Sequence, residues 1–370
     1  MKRFALAFLF LAILSLPVTQ FSFAQTLAAT TETGEINGAQ FKIEIPANWN
    51  HGLVVYCHGY DEKAAPAEGA NIQAYYDIFL KEGYAVARSG YSAGGWAVEQ
   101  AVTDTEALRR YFTKKYGAPK ETYVTGHSMG GFLTMELVEK FPQSYDAGLA
   151  LCGPLGAASW FMERKPFDDR VVFDYYFPGL LPSPAKVPQD YEQTAEIGKK
   201  IFMALESQQP QAENLRRYMG IHTNRDLAGW MVFSTYILKD LQQRSGGNPF
   251  DNRNTIYVNA GDDNALNDGV ERFAADPGAP SYLRKYYTPT GDLQRPLLAI
   301  HTTYDPIVPP WVPDSYGLLV RQTGHADHFV QQYVKHDGHC AVSPEESARG
   351  FSQLRAWKAG GAPPPSGWNH

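Results

Sequence analysis

From Ile36 to about Gly156 the chain alternates short, apolar, β-rich runs with longer amphipathic ones. This alternation leaves few folds open. The runs "FKIEI", "GLVVYC", "YAVAR", "TYVTG" and "AGLALC" are short, apolar and β-rich, as expected of the strands of a largely parallel, buried sheet. Between them lie "NIQAYYDIFLKEG", "AVEQAVTDTEALRRYFTKKYG" and "GGFLTMELVEKF", whose apolar positions recur at helical spacing. Such βα units predict an α/β domain with helices on both faces of the sheet. Thr103-Asp104-Thr105-Glu106 has the spacing of a capping box but also fits the interior of a longer helix.

The style resumes after about Gln294, where "RPLLAIHTTYD" and "HFVQQYVKHDGHC" predict two more strands and "PEESARGFSQLRAWKAG" a closing helix. In between, the proline- and aromatic-rich "FDYYFPGLLPSPAKVP" leads into helix-like stretches such as "EQTAEIGKKIFMAL" and "DLAGWMVFSTYILKDLQQR". About 140 residues are too many for a loop and read as an inserted, mainly helical cap. The expected organisation is a leader over 1–24, a first core segment over 25–155, the cap over 156–294, a second core segment over 295–360 and a disordered tail over 361–370.

The leader reading rests on Lys2 and Arg3, the apolar run Phe4 to Leu16, and the small-x-small signal Ser22-Phe23-Ala24, which together predict export and a mature chain starting at Gln25. The expected location is secreted or periplasmic. The apolar run is too short for an ordinary spanning helix, and no cysteine follows the cleavage signal to carry a lipid, so no stable membrane anchor is expected. A net charge of −6 with no run of Lys or Arg gives no electrostatic footprint for nucleic acid. Cys57, Cys152 and Cys340 are an odd number, so at least one thiol lacks an intrachain partner.

Two stretches match G-x-S-x-G: Gly90-Tyr91-Ser92-Ala93-Gly94 and Gly126-His127-Ser128-Met129-Gly130. An exposed nucleophilic serine of this kind needs a strand ending at the first glycine, a strained turn, and a helix that begins at once. Ser128 has "TYVTG" before it and an unbroken helical pattern after Gly131. Ser92 is followed by "SAGGW", where small residues delay any helical period. Ser128 is therefore the candidate nucleophile, and Ser92 a loop or pocket-wall residue.

A serine hydroxyl needs a base within hydrogen-bond reach and an acid that orients the base. Asp305 ends an apolar strand and is followed by Pro306, and a later strand ends at a loop with His336 and His339. With "HG" at 58–59, "GHSMGG" at 126–131, "YDPIVP" at 304–309 and "GHC" at 338–340, in that order, the chain resembles the α/β-hydrolase superfamily over most of its length outside the cap. The resemblance implies Ser128 as nucleophile, His339 as base, Asp305 as orienting acid, and the backbone N–H groups of Tyr60 and Met129 as an oxyanion hole. It prefers His339 to His336 because Gly338 precedes it. It further implies a serine hydrolase without cofactor or metal that cleaves a small carboxylic ester with an apolar or aromatic part; a peptidase or amidase, or an acyltransferase, is the alternative on the same fold.

Feruloyl esterases and tannases share the fold and a large cap, and often join a cysteine just before the serine to one just after the histidine. Here His127 holds the first of those places and Cys340 the second. Cys340 is free or bridged to Cys57 or Cys152. "GHADH" (His325, His328) and "GDDNALND" (Asp262, Asp263, Asp268) lack the spacing of a zinc or EF-hand site and read as a turn and a helix cap. His58 and His127 are expected to serve geometry and packing, and His301 to be a satisfied core histidine. Of Trp160, Phe161, Tyr175, Tyr176, Phe177, Trp230 and Phe233, two or three are expected to face the pocket and the rest to form the cap's core. The sequence leaves the oligomeric state open.

Overall fold

Nine strands form one sheet in a computed structural model that describes residues 28–64 and 72–368; the segment read as a leader lies outside the described residues. The strands are β1 (Ala28–Ile36), β2 (Ala39–Pro46), β3 (Leu53–Cys57), β4 (Ala85–Ser89), β5 (Thr122–His127), β6 (Ala147–Leu151), β7 (Leu297–Tyr304), β8 (Phe329–Asp337) and β9 (Gly367–Trp368). Their order across the sheet is β1-β2-β4-β3-β5-β6-β7-β8-β9, antiparallel at β1-β2 and β2-β4 and parallel elsewhere. Every residue of β3, β4 and β6 is buried, as the continuous apolar runs require.

Helices cover both faces. On one, α1 (Gln73–Lys81) and the closing helix, α12 (Pro344–Lys358), pack Phe79, Phe351, Leu354 and Trp357 against Tyr84 and Tyr123 of the sheet region. On the other lie α2 (Val98–Tyr116), α3 (Met129–Lys140) and α11 (Val312–Gln322). The Thr103–Glu106 spacing falls inside α2, where the Thr103 hydroxyl donates to the Glu99 carbonyl; a true capping box, Ser343 with Glu346, begins α12.

Between β6 and β7 the chain is helical: α4 (Ala158–Met162), a π-helical turn (Glu163–Phe167), α5 (Asp168–Tyr176), α6 (Ala195–Ser207), α7 (Gln209–Met219), α8 (Asn224–Ser245), α9 (Asp263–Gly269) and α10 (Pro280–Lys285). Phe161, Phe177 and Trp230 are buried here and join the apolar cluster that includes α2 and α3. Two polar contacts fix this layer to the sheet. Asp240 of α8 accepts the Trp96 N–H at 2.6 Å and pairs with Arg244, which also donates to the Gly94 carbonyl. Tyr304, at the end of β7, donates its hydroxyl to Asp226 at 3.0 Å, accepts the His222 N–H at 3.0 Å, and stacks on the His222 ring.

Two features depart from the sequence expectations. Residues 28–36, not read as a strand, form β1 by turning back on β2 through Asn37 and Gly38, both at positive φ. Within the tail 361–370, expected to be disordered, Gly367 and Trp368 pair with Gln332 and Tyr333 of β8. The cause lies in β8: Gln332 is buried and its side chain donates to the Pro365 carbonyl at 2.8 Å, which holds the proline run against the sheet edge.

The return to β7 hangs on one carboxylate. Glu139 of α3 is buried and accepts the Gly291 N–H (3.0 Å), the Tyr316 hydroxyl (2.9 Å), and both the N–H and hydroxyl of Thr290. Removing it strands two buried donors at once, the Gly291 N–H and the Tyr316 hydroxyl. Glu139→Ala is expected to lower stability by about 3 kcal/mol. The check is a denaturant midpoint shift at unchanged m-value; a loss under about 1 kcal/mol would mean that these donors find other partners.

Candidate active site

The sheet brings its C-terminal strand ends together, and the candidate residues sit there. β5 ends at His127, α3 begins at Met129, and Ser128 between them has φ 57° and ψ −122°. A non-glycine residue in this region is strained and is held by its surroundings. Those surroundings are backbone: a Cβ on Gly126 would lie 2.3 Å from the Cys57 carbonyl oxygen, and one on Gly130 would lie 2.0 Å from it. The pattern of glycines around Ser128 is thus a consequence of β3 and the first turn of α3 touching.

The serine, acid and histidine form a hydrogen-bonded chain. His339 Nε2 is 2.8 Å from Ser128 Oγ, and His339 Nδ1 is 2.7 Å from Asp305 Oδ2. An ionised Asp305 accepts from Nδ1–H, which leaves Nε2 as an acceptor facing the serine O–H. Asp305 is held from three further sides: Oδ1 accepts the N–H groups of Ile307 and Val308, each at 2.9 Å, and His301 Nε2 lies 3.7 Å from Oδ2. Burial opposes its ionisation, but His339, His301 and the backbone donors outweigh it and hold the carboxyl below its ordinary value. His301 is buried, donates to the Val308 carbonyl at 2.7 Å, and is driven toward its neutral form by that burial.

The turn after β3 passes over the serine: a Cβ on Gly59 would be 3.3 Å from the His127 carbonyl oxygen and 3.4 Å from Ser128 Cβ. Tyr60 is the next residue on this turn. Met129 contributes the first N–H of α3, which has no intrahelical acceptor. The flanking histidines are engaged elsewhere. His58 stacks on Tyr91 at 3.9 Å between centroids, and burial lowers its pKa. His127 Nδ1 is 2.8 Å from the Tyr56 hydroxyl, and burial, with His339 nearby, lowers its pKa to about 4. His336 lies outside the group, bonded to Glu346 at 3.0 Å. Asp262 caps α9 through the Ala265 N–H, and Asp263 accepts the N–H groups of Asn259 and Ala260. His325 pairs with Asp292 at 3.3 Å.

Ser92 has a different environment. Its hydroxyl donates to Asp104 Oδ2 at 2.8 Å and its N–H to the same oxygen at 2.7 Å. The loop around it is a platform for other segments: a Cβ on Gly94 would strike the backbone of Lys63, and one on Gly95 the carboxylate of Asp240.

One element left open by the sequence lies against the base. Cys340, next to His339, is joined to Cys152 at the end of β6, and its sulfur is 3.5 Å from His339 Nε2. The bridge spans 188 residues of sequence and ties the histidine loop to the middle of the sheet. Cys57 is a buried free thiol, its pKa pushed up to about 12 by burial.

Comparison with known proteins places this geometry in context. A family model described as serine aminopeptidase, S33, matches residues 49–189. Over 158 residues the chain is 28% identical to the o-phthalyl amidase of Xanthobacter agilis, covering 41% of this chain and 34% of the amidase, so the match spans about a third of that relative. Among solved structures, similar folds occur in Est1E of Butyrivibrio proteoclasticus with ferulic acid bound (TM-score 0.50, 13% identity, 89% of this chain and 99% of that one). A puromycin-hydrolyzing peptidase of Mycobacterium tuberculosis is similar as well (TM-score 0.51, 11% identity, 92% of this chain and 41% of that one).

The two serines differ in what they can do. A fluorophosphonate is expected to label the protein once, at Ser128, and Ser128→Ala to abolish the label. Ser92→Ala should keep it while costing about 1–2 kcal/mol of stability, because Asp104 loses a donor. Peptide mapping and thermal unfolding read both; a label on Ser92 would reverse the assignment.

Proposed function

We propose that this chain, which has an α/β-hydrolase fold and matches a serine aminopeptidase family model over residues 49–189, is a serine hydrolase that hydrolyses carboxylic esters through an acyl-enzyme formed on Ser128. Ser128 Oγ attacks the carbonyl carbon as His339 Nε2 takes its proton. The carbonyl oxygen becomes an oxyanion against the Tyr60 and Met129 N–H groups. Collapse expels the alcohol, which receives the proton from His339. Water, deprotonated by the same nitrogen, then attacks the acyl-enzyme and releases the acid and the serine hydroxyl. Asp305 keeps the imidazole in the required tautomer and stabilises the imidazolium. The observation that carries this reading is the unbroken hydrogen-bond chain from Asp305 through His339 to Ser128, with the serine at φ 57° on a strand-to-helix turn.

An amide reading has its own support, since the curated relative is an amidase and the matching family model is that of a serine aminopeptidase. A free amino terminus on the substrate needs a carboxylate to hold it. The buried cap acids Asp168 and Asp169 and the partly buried Asp174 already pair with Arg164, Lys165 and Arg170. This favours an ester, or an amide without a free amine, over an aminopeptidase substrate. An apolar or aromatic acyl group is supported by Tyr60, whose ring meets Phe233 and Tyr236 of α8 edge-on at 5.3 and 6.5 Å.

Purified protein is expected to hydrolyse a p-nitrophenyl ester faster than the matching p-nitroanilide. Ser128→Ala should remove activity by a factor of about 10⁴ or more, and Asp305→Asn should lower kcat by about 10⁴ through the wrong histidine tautomer. Retention of rate in either variant would remove that residue from the mechanism.

We also propose that the protein is exported. The N-terminal basic, apolar and small-x-small sequence supports this, and so does a disulfide, which persists in oxidising compartments. Intact mass of the protein recovered outside the cytoplasm should begin at Gln25; an N-terminus retaining residues 1–24 would contradict export by cleavage.

A further inference from the structure

Each end of the Cys152–Cys340 bridge adjoins the triad. Cys152 follows Leu151, whose carbonyl accepts the Ser128 N–H at 3.0 Å, and Cys340 follows His339. The Cys340 sulfur lies 3.5 Å from His339 Nε2, the same nitrogen that stands 2.8 Å from Ser128 Oγ. Cys152 is buried and Cys340 only partly so, which makes Cys340 Sγ the sulfur open to a small thiol. Both half-cystines also sit at positive φ, 47° for Cys152 and 56° for Cys340, where a residue with a side chain is strained. A bridge between two such turns, reachable at one end, has the character of a reducible disulfide rather than a permanent staple.

Protons set what the contact does. With Nδ1–H committed to Asp305, Nε2 carries no proton, and a disulfide sulfur carries none either. The one proton shared among Ser128 Oγ, Cys340 Sγ and Nε2 is therefore the serine's.

Reduction adds another. One sulfur of a dithiol attacks Cys340 Sγ as a thiolate, breaking the S–S bond and releasing Cys152 Sγ, which takes up a proton. The second thiol loses its proton and closes on the first, leaving as a cyclic disulfide and freeing Cys340 as a thiol. The dithiol is oxidised and the protein gains two thiols. A thiol beside an imidazole is the arrangement that yields a thiolate, and it is far more acidic than a serine hydroxyl. Its proton goes to Nε2, where Asp305 stabilises the imidazolium, and Nε2 then has no lone pair for the serine proton.

Resting on the acyl-hydrolase reading above, we infer that the Cys152–Cys340 bridge is a redox switch on the base. Bridged, it leaves His339 free to serve Ser128; reduced, it leaves on Cys340 a thiol that protonates His339 and silences the serine. Activity follows the oxidising power of the surroundings through a proton, not through loosening of the loop.

Two variants separate those causes. Cys340→Ala and Cys152→Ala both abolish the bridge, but only Cys152→Ala keeps the Cys340 thiol. On a p-nitrophenyl ester at pH 7, Cys152→Ala should fall about tenfold or more below Cys340→Ala in kcat, with KM little changed. Adding Cys340→Ala to Cys152→Ala should recover that difference. Equal losses in the two single variants, or no recovery in the double one, would make the bridge a structural clasp and overturn the switch. Dithiothreitol should silence the wild-type protein reversibly; full activity in protein whose bridge is open by mass overturns the switch too. Alkylation tests the same pair without turnover. In reduced wild-type protein, iodoacetamide should modify Cys340 almost as fast at pH 6.5 as at pH 7.5, whereas an ordinary thiol slows about tenfold. A tenfold slowing at Cys340 overturns the switch even if the variants fail to fold. If the bridged protein turns over no ester, the hydrolase reading fails, and the alkylation profile still decides the thiol–imidazole pair.

Discussion

The first turn of α3 rests directly on the backbone of β3, and the rest of the site depends on that contact. With the Cys57 carbonyl where Cβ atoms at 126 and 130 would be, only glycine fits on either side of Ser128. The strand-to-helix junction is then too short for an ordinary backbone, and Ser128 takes the strained conformation. Strain of this kind costs on the order of 1–3 kcal/mol, supplied by the packing of the buried strands β3 and β5 against α3. The same closeness puts Gly59, which precedes Tyr60, against Ser128. The strained turn that holds the candidate nucleophile is a consequence of that one packing contact.

The second constraint acts on His339, the candidate base. His339 lies in a loop beyond β8, which pairs with β7 near the sheet edge. It is fixed from two directions, by Asp305 at Nδ1 and by the Cys152–Cys340 bridge in the chain immediately after it. The bridge reaches the end of β6, next to the strand that carries the serine, and so couples the two halves of the chain across the cap. The cap is held in turn by Asp240 against the Ser92 loop and by Asp226 against Tyr304. The second G-x-S-x-G stretch is therefore part of the cap's seat.

Much of this was legible in the sequence because it is local. Continuous apolar runs mark the central strands, and "TYVTG" followed at once by a helical period separates Ser128 from Ser92. Strand ends at Asp305 and His339 are visible as an apolar run meeting Asp-Pro or Gly-His. What escaped depends on non-local pairing. β1 is polar along most of its length and is held by β2 and by Glu32 contacts to Tyr111 and Lys115 of α2, although Asn37-Gly38 is a hairpin signal that could have revealed it. The partner of Cys340 is 188 residues away, and three cysteines left the choice open. The β9 pairing depends on a buried glutamine whose need for an acceptor shows only once β8 is placed at the edge.

The central claim is that Ser128 carries the acyl group during turnover. Incubation with an ester whose acyl-enzyme hydrolyses slowly, followed by acid quench and peptide mass mapping, tests it directly. The account predicts one acyl mass increment, on the peptide containing Ser128, that forms at the rate of the first product burst and disappears as turnover ends. An increment on another residue, or turnover with no covalent species on Ser128, would contradict it.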